Sequence, residues 1–474
     1  MVSRTCLVGL IALAIGCSSG TTDSSTTTTG NPTGGNSQTV AVVTITPSTL
    51  SLSVGGTGTL AAQAISSTGA TITGKSVVWS SSNASIATVA AGVVVGVGPG
   101  VALITATIDS KNAVVSVTVA APVSPQAIFA SIAPGGSHTC ALNAAGLAYC
   151  WGYNLNGQLG NGTQNEAPKP TAVSLNIAFA SISSGDNHTC GVALSPKGAA
   201  YCWGQNFLGQ IGDGSKTDRF APVLVSGGIN FFSVSAGNGF TCGLAVDGSA
   251  YCWGAGSAAL GNGSYQQTSV PVRVASAVAF TSVSTGLEHA CGLGTDGFAY
   301  CWGNGQFLGD GVPSDTAHSR PVAVAGSIKF REFHATTSGG CGISQTDQTY
   351  CWGGVLGLPA TVAPTLLSGG LTFSALGTGS TANHACGITA AHVAYCWGVD
   401  SNGQLGDNTS TPIRSAPVAV LGGIAFSSIA GGASHTCGLT ATGAAYCWGD
   451  NEFNQLGVAQ SLGNHYTPTP VLSP

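Results

Sequence analysis

From Val40 to about Val119 the chain alternates β-branched residues with small polar ones. A period of two puts one face of an extended strand against a core. Val43 and Ile45 alternate with Thr44 and Thr46, and Leu50 and Leu52 flank Ser51. The turn Gly55-Gly56 follows, and then Val77-Val78-Trp79, Ile86-Ala87-Thr88-Val89 and Ala102-Leu103-Ile104-Thr105-Ala106-Thr107. Six or seven short strands here predict a small β-sandwich. Beyond residue 125 the pattern becomes a repeat. Tyr-Cys-Trp-Gly occurs seven times, starting at Tyr149, Tyr201, Tyr251, Tyr300, Tyr350, Tyr395 and Tyr446. Each unit opens on an aromatic and a short strand, as in Phe426-Ser427-Ser428-Ile429, and continues through His435-Thr436-Cys437-Gly438-Leu439. A tight turn, the Tyr-Cys-Trp-Gly strand, a loop and a last strand such as Pro417-Val418-Ala419-Val420 complete it. Four strands per unit and seven units predict a seven-bladed β-propeller.

Two segments precede these domains. Arg4 and the apolar run Cys6 to Ile15 have the length of an export signal, too short for a membrane helix. Residues 18 to 39 are Ser, Thr, Gly and Asn with almost nothing to bury, which predicts a flexible tether. The expected divisions are 1–16 signal, 17–39 tether, 40–121 immunoglobulin-like β-sandwich and 125–474 propeller, an all-β chain throughout. Pro470-Val471-Leu472 is expected to complete the ring beside the first repeat, with Pro122 in the linker.

Several of these stretches resemble known families. Ala14-Ile15-Gly16-Cys17 is similar to the bacterial lipoprotein signal, which implies acylation of Cys17 and, with Ser18 next, sorting to an outer membrane. The alternative is an ordinary secretory signal cleaved nearby. Residues 40 to 119, with the opening Ile45-Thr46-Pro47-Ser48, resemble the bacterial immunoglobulin-like group 2 domain, which implies a spacer or stalk. The repeats resemble the regulator of chromosome condensation family in the Gly-x-x-His-x-x-x-Leu strand, the Trp-Gly step and the loop Gly157-Gln158-Leu159-Gly160. That loop is equally full at Gly403-Gln404-Leu405-Gly406 and degenerates at Val355-Leu356-Gly357-Leu358, where a short or irregular blade is expected. The fold is also that of a bacterial propeller that inhibits β-lactamases, so it does not by itself name a function.

Composition narrows the partners. Hydrophobic residues make up 43% of the chain and charged residues 6%, with 71 glycines and a net charge of −5. Phosphate binding needs clustered Lys and Arg, and the chain has no such cluster, so nucleic acid is excluded as a partner.

The cysteines carry the firmest chemistry. Cys140 and Cys150 flank Ala144-Ala145-Gly146, and a three-residue hairpin loop with glycine in the left-handed region sets them opposite one another. Opposed residues in antiparallel strands have Cα atoms about 4.5 or 5.5 Å apart, within disulfide reach. The second unit inserts Pro196-Lys197, an even number, which lengthens the loop and keeps Cys190 facing Cys202. The same parity pairs Cys242 with Cys252, Cys291 with Cys301, Cys341 with Cys351, Cys386 with Cys396 and Cys437 with Cys447. Of 16 cysteines only Cys6 and Cys17 are left over. Buried thiols or metal ligands are the alternative, which an export signal disfavours.

A histidine precedes the first cysteine by two positions in five units, at His138, His188, His289, His384 and His435; Phe240 and Gly339 stand there in the others. A metal or proton-relay ring is one reading. Because phenylalanine substitutes, a packing role is the expectation. Oxygen-rich loops such as Asp400-Ser401-Asn402-Gly403 and Asp407-Asn408 suit calcium, but equally suit tight turns. No nucleophile elbow and no His-Glu-x-x-His motif is present.

No cofactor or metal is expected, and the leading expectation is a non-enzymatic, lipid-anchored envelope protein binding a protein or glycan. Inhibition of an extracytoplasmic enzyme is a specific form of it, by likeness to the inhibitor propeller. The aromatics that break the repeat consensus, Tyr153, Phe453 and Tyr466, are its candidate anchors. The family resemblance implies nucleotide exchange on a small GTPase as an alternative, against which export and disulfides argue. A propeller hydrolase, the third reading, needs an acidic cluster in the central channel.

Overall fold

The computed structural model describes residues 39–120, 126–313, 316–354, 361–458 and 462–474. The expected export signal, Cys17, the expected tether up to residue 38, Pro122 and the stretch Val355-Leu356-Gly357-Leu358 lie outside them. The chain divides into two compact units, 1–122 and 123–474.

Among its described residues the first unit has ten strands in three sheets rather than six or seven strands. Its core is the long antiparallel hairpin Gly100–Ile108 and Lys111–Ala120, flanked by Val78–Ser81 and, in parallel, by Thr49–Ser53. Ala102, Ile104, Ala106, Val115, Val117 and Val119 alternate into the interior. The extra strands are short, as at Thr57–Thr59 and Val93–Gly96. Reversals at Gly55 and at Ala91-Gly92, all with positive φ, separate them from their neighbours. A strand of three or four residues has too few side chains to show a period of two.

The second unit is a ring of seven four-stranded blades, each built from one contiguous stretch. In the second blade the strands are Phe179–Ser184, His188–Ala193, Ala200–Gly204 and Arg219–Leu224, paired in that order. The first strand of every blade packs against the first strand of the next, so these strands surround the axis. His465–Pro470 is the fourth strand of the seventh blade, pairing Pro470 with Tyr446. Just beyond it Leu472 pairs with Gln126, and Ala127 N–H donates to the Val471 carbonyl at 2.9 Å. No blade mixes strands from both ends.

The hairpin between second and third strands has the geometry that glycine permits. Asn143 N–H donates to Leu147 O and Gly146 N–H to Asn143 O, with Gly146 at φ +78°. Cys140 then faces Cys150, and in blade two Cys190 faces Cys202 across the longer loop. Seven disulfides join the pairs Cys140–Cys150, Cys190–Cys202, Cys242–Cys252, Cys291–Cys301, Cys341–Cys351, Cys386–Cys396 and Cys437–Cys447, with Cα atoms 4.0 to 4.1 Å apart. Each packs on the next blade: Cys190 and Cys202 meet Phe231 and Trp253, whose rings lie 5.7 Å apart. All seven repeat tryptophans are fully buried.

Candidate functional site

The five repeating histidines lie at the joints between blades, not in an open site. Each is fully or almost fully buried. His138 Nε2 lies 2.9 Å from Thr189 Oγ1, His188 2.8 Å from Thr241, His384 2.6 Å from Thr436, and His435 2.8 Å from Thr139. Each threonine belongs to the following blade, and the last contact closes the ring. Hydrogen accounting fixes the tautomer. Thr189, Thr241, Thr436 and Thr139 donate to the carbonyls of Gln158, Gln210, Gln404 and Gln455, at 2.7 to 3.0 Å. A hydroxyl has one hydrogen, so the histidine must donate through Nε2–H. His289 donates likewise to the Gly339 carbonyl at 2.8 Å. Trp203, Trp253 and Trp448 donate to the same glutamine carbonyls, completing a four-group node.

Burial holds these imidazoles neutral. It pushes His138, His188, His384 and His435 down to about 3 and His289 to about 4. Such groups cannot exchange protons with a substrate at neutral pH. Glycine three positions earlier is required by packing: a Cβ on Gly135, Gly185 or Gly432 would meet the imidazole of its own unit.

Two joints lack the pair altogether. Where Phe240 replaces histidine, the next blade carries Ala290 in place of threonine, and where Gly339 does, the next blade carries Ala385. The joint between blades five and six is held differently. Glu332 Oε1 accepts from Leu376 N–H at 2.9 Å and lies 3.1 Å from His334 Nε2. Arg331 reaches the Phe373 and Ser374 carbonyls and the Asp347 carboxylate. Burial opposes charge on Glu332, but His334, the Leu376 amide and Arg331 outweigh it and hold the carboxyl below its usual range. Sequence reasoning missed this cluster. Its signal is that blade five carries Glu332 and His334 where blade two has Ser181 and Ser183.

One mouth of the central channel is bridged. Blade six inserts two residues between Phe373 and His384 compared with Phe179 to His188. The loop crosses the axis, and Ser380 Oγ donates to the Ala236 carbonyl of blade three at 2.6 Å. Among the described residues no three His, Cys, Asp or Glu side chains converge as a metal site. In the calcium candidate loop Asp407-Asn408, Asp407 already faces the Arg414 guanidinium, as Asp213 of blade two faces that of Arg219.

The candidate anchors are arranged unevenly. Tyr153 of blade one and Phe453 of blade seven pack edge to face, ring centres 5.0 Å apart, and both are half-buried. Tyr466 lies over Gly403 of blade six, where a Cβ would meet its ring. An apolar exposed surface lies elsewhere, on the hairpin face between blades two and three. A cavity of about 620 Å³ there is lined by Val192, Leu194, Lys197, Phe231, Phe232 and Val246. Leu194, Phe232 and Val246 are 52%, 67% and 68% exposed. The position of Phe232 holds Ala130, Ala180, Thr281, Arg331, Ser374 and Ser427 in the other units. That contrast was available in the sequence.

Known proteins match both units. The regulator of chromosome condensation (RCC1) repeat matches residues 129–158, 179–210, 280–307 and 426–455, and in a second form 145–192, 197–244, 247–293 and 392–439. The bacterial Ig-like domain (group 2) matches 39–119. Human HERC4, a probable E3 ubiquitin-protein ligase, is 32% identical over 95 residues, 20% of this chain but 9% of HERC4. The ultraviolet-B receptor UVR8 of Arabidopsis thaliana is 29% identical over 110 residues, 23% of this chain and 25% of UVR8. The aligned segments thus span a quarter or less of these relatives. Yeast RCC1 (Prp20), solved bound to Kap60, superposes with a TM-score of 0.62 at 18% identity, covering 70% of this chain and 84% of its own. Human WBSCR16 gives 0.59 at 20% identity, covering 66% and 87%. At these identities the likeness shows the fold. The chain belongs to the regulator of chromosome condensation repeat family, its propeller preceded by a bacterial Ig-like group 2 domain.

Proposed function

We propose that the chain is an exported, lipid-anchored protein that binds a macromolecule through its propeller and performs no chemistry. The carrying observation is the apolar cavity between blades two and three, where three large side chains stay exposed at one joint out of seven. Contiguous exposed apolar surface on a soluble domain marks an interaction site. Seven disulfides point to an oxidising, extracytoplasmic compartment, which weighs against exchange activity on a cytoplasmic GTPase. No helix among the described residues is long and apolar enough to cross a membrane; the anchor in this reading is acylated Cys17, by the likeness of Ala14-Ile15-Gly16-Cys17 to the lipoprotein signal. A solved structure of yeast Prp20p is described together with its binding to Gsp1p and histones, which supports a protein partner over a glycan. Inhibition of an extracytoplasmic enzyme is one specific form of such binding.

The test is affinity capture from envelope extracts with the Cys17→Ser chain. Phe232→Ser and Leu194→Ser should weaken the captured partner at least about tenfold, the loss of a central apolar anchor. Tyr153→Ala, Phe453→Ala and Tyr466→Ala probe the second candidate surface. Retention of every partner by all five variants, or turnover of a substrate by the purified chain, would reject the reading.

A further inference from the structure

Four blades hold the loop after Trp-Gly with one side chain, Asn154, Asn206, Asp400 or Asn451. In each, Oδ1 accepts the backbone N–H five residues on, from Leu159, Ile211, Leu405 or Leu456, at 2.9 to 3.1 Å. In blades one and two the other end of the side chain is an amide that donates. Asn154 Nδ2 reaches the Thr163 and Asn165 carbonyls, and Asn206 Nδ2 reaches Ser215 Oγ and the Thr217 carbonyl. The hydroxyls there have their own hydrogen committed, Thr163 to Asn161 Oδ1 and Ser215 to Asp213 Oδ1.

Blade six keeps this arrangement with an acid in place of the amide. Thr409 Oγ1 donates to Asp407 Oδ1 at 2.6 Å, and Asp400 Oδ2 lies 3.1 Å from the same hydroxyl. Thr409 has no second hydrogen to give. Contact between two acceptors is repulsive unless Asp400 supplies the proton. We propose that Asp400 is held as the neutral acid and latches the loop 400–409, which is closed while the proton is present and loosened when it leaves.

The surroundings agree. Asp400 is fully buried. Burial, with the charge of Asp407, pushes its carboxyl up to about 6, against the Leu405 amide and Arg414. The charged groups facing it are Asp407 and Arg414, which bond each other at 3.2 Å. From the last blade, Asn464 donates to Asn402 and the Tyr466 carbonyl accepts from Asn408; His465, on that strand, contacts Thr469. Loosening the loop therefore releases the seat of Tyr466. The latch holds whether or not Tyr466 binds anything.

A carboxyl whose folded value is raised contributes stability that is full below the unfolded value and lost as pH rises through the folded one. Urea unfolding of the full chain and of Asp400→Asn, from pH 4 to 7.5, reads this as a difference in which the buried histidines cancel. Near pH 4 the two should differ least. By pH 7.5 the wild type should be less stable by roughly a hundredfold in the unfolding constant, as a shift from 3.8 to about 6 implies. A difference independent of pH overturns the proposal. Amide exchange in the wild type alone gives a second reading, using Leu456, held by Asn451, as the internal standard. Leu405 should lose protection relative to Leu456 between pH 5 and 7.5, and a constant ratio would also overturn it.

Discussion

Thr241 gives its only hydrogen to the Gln210 carbonyl and takes one from His188, so neither partner can be lost alone without cost. Thr241→Val strands a buried Nε2–H and should cost about 1–3 kcal/mol in urea unfolding. The joint between blades three and four offers the reverse experiment. Phe240→His alone should destabilise by exchanging an apolar ring for an unpaired donor, and adding Ala290→Thr should recover part of the loss through a positive coupling. Acid acts on all five histidines together. Their folded values lie far below the ordinary 6.5, so the unfolded chain binds more protons between about pH 6 and 4. Stability should fall with decreasing pH in that window, by up to about 1.4 kcal/mol per pH unit for each histidine, with several protons taken up per molecule on unfolding.

At the level of the blade, the second hairpin is the informative one, because it carries two residues more than its neighbours and keeps its cysteines opposed. Two further residues added between Pro196 and Lys197 need only lengthen the loop tip, whereas one added between Cys190 and Leu194 turns Cys190 to the other face of the sheet. Peptide mapping without reduction should find Cys190–Cys202 intact in the first case and free thiols or wrong pairings in the second. Each such link closes a loop of about eleven residues and contributes roughly 2–3 kcal/mol at most. The blades were legible in the sequence because strand alternation and hairpin loops are local and seven copies repeat the message. The Ig-like strands of three or four residues were not, having too little length to show a period. Nor was the joint chemistry. Glu332 stabilises Leu376 of another blade, and Ser380 reaches Ala236 across the ring, contacts that no local pattern encodes. The aromatics Tyr153 and Phe453 stand out in sequence as consensus breaks, yet the fold turns them toward each other.

For the whole molecule, attachment is the property most open to a direct check. Cys17→Ser should move the protein from the membrane fraction to the soluble extracytoplasmic one, and mass spectrometry of the wild type should find fatty acid on Cys17. The ring's closure has a separate consequence. Since every blade is a contiguous stretch and Leu472 lies beside Gln126, the order of the seven units along the chain is not what holds them in a circle. The gene could be circularly permuted, with the old ends of the propeller joined by a short linker and new ends opened at any connection between consecutive blades. Each His–Thr joint would survive as before, because it links neighbours in space, whichever of them the ribosome makes first.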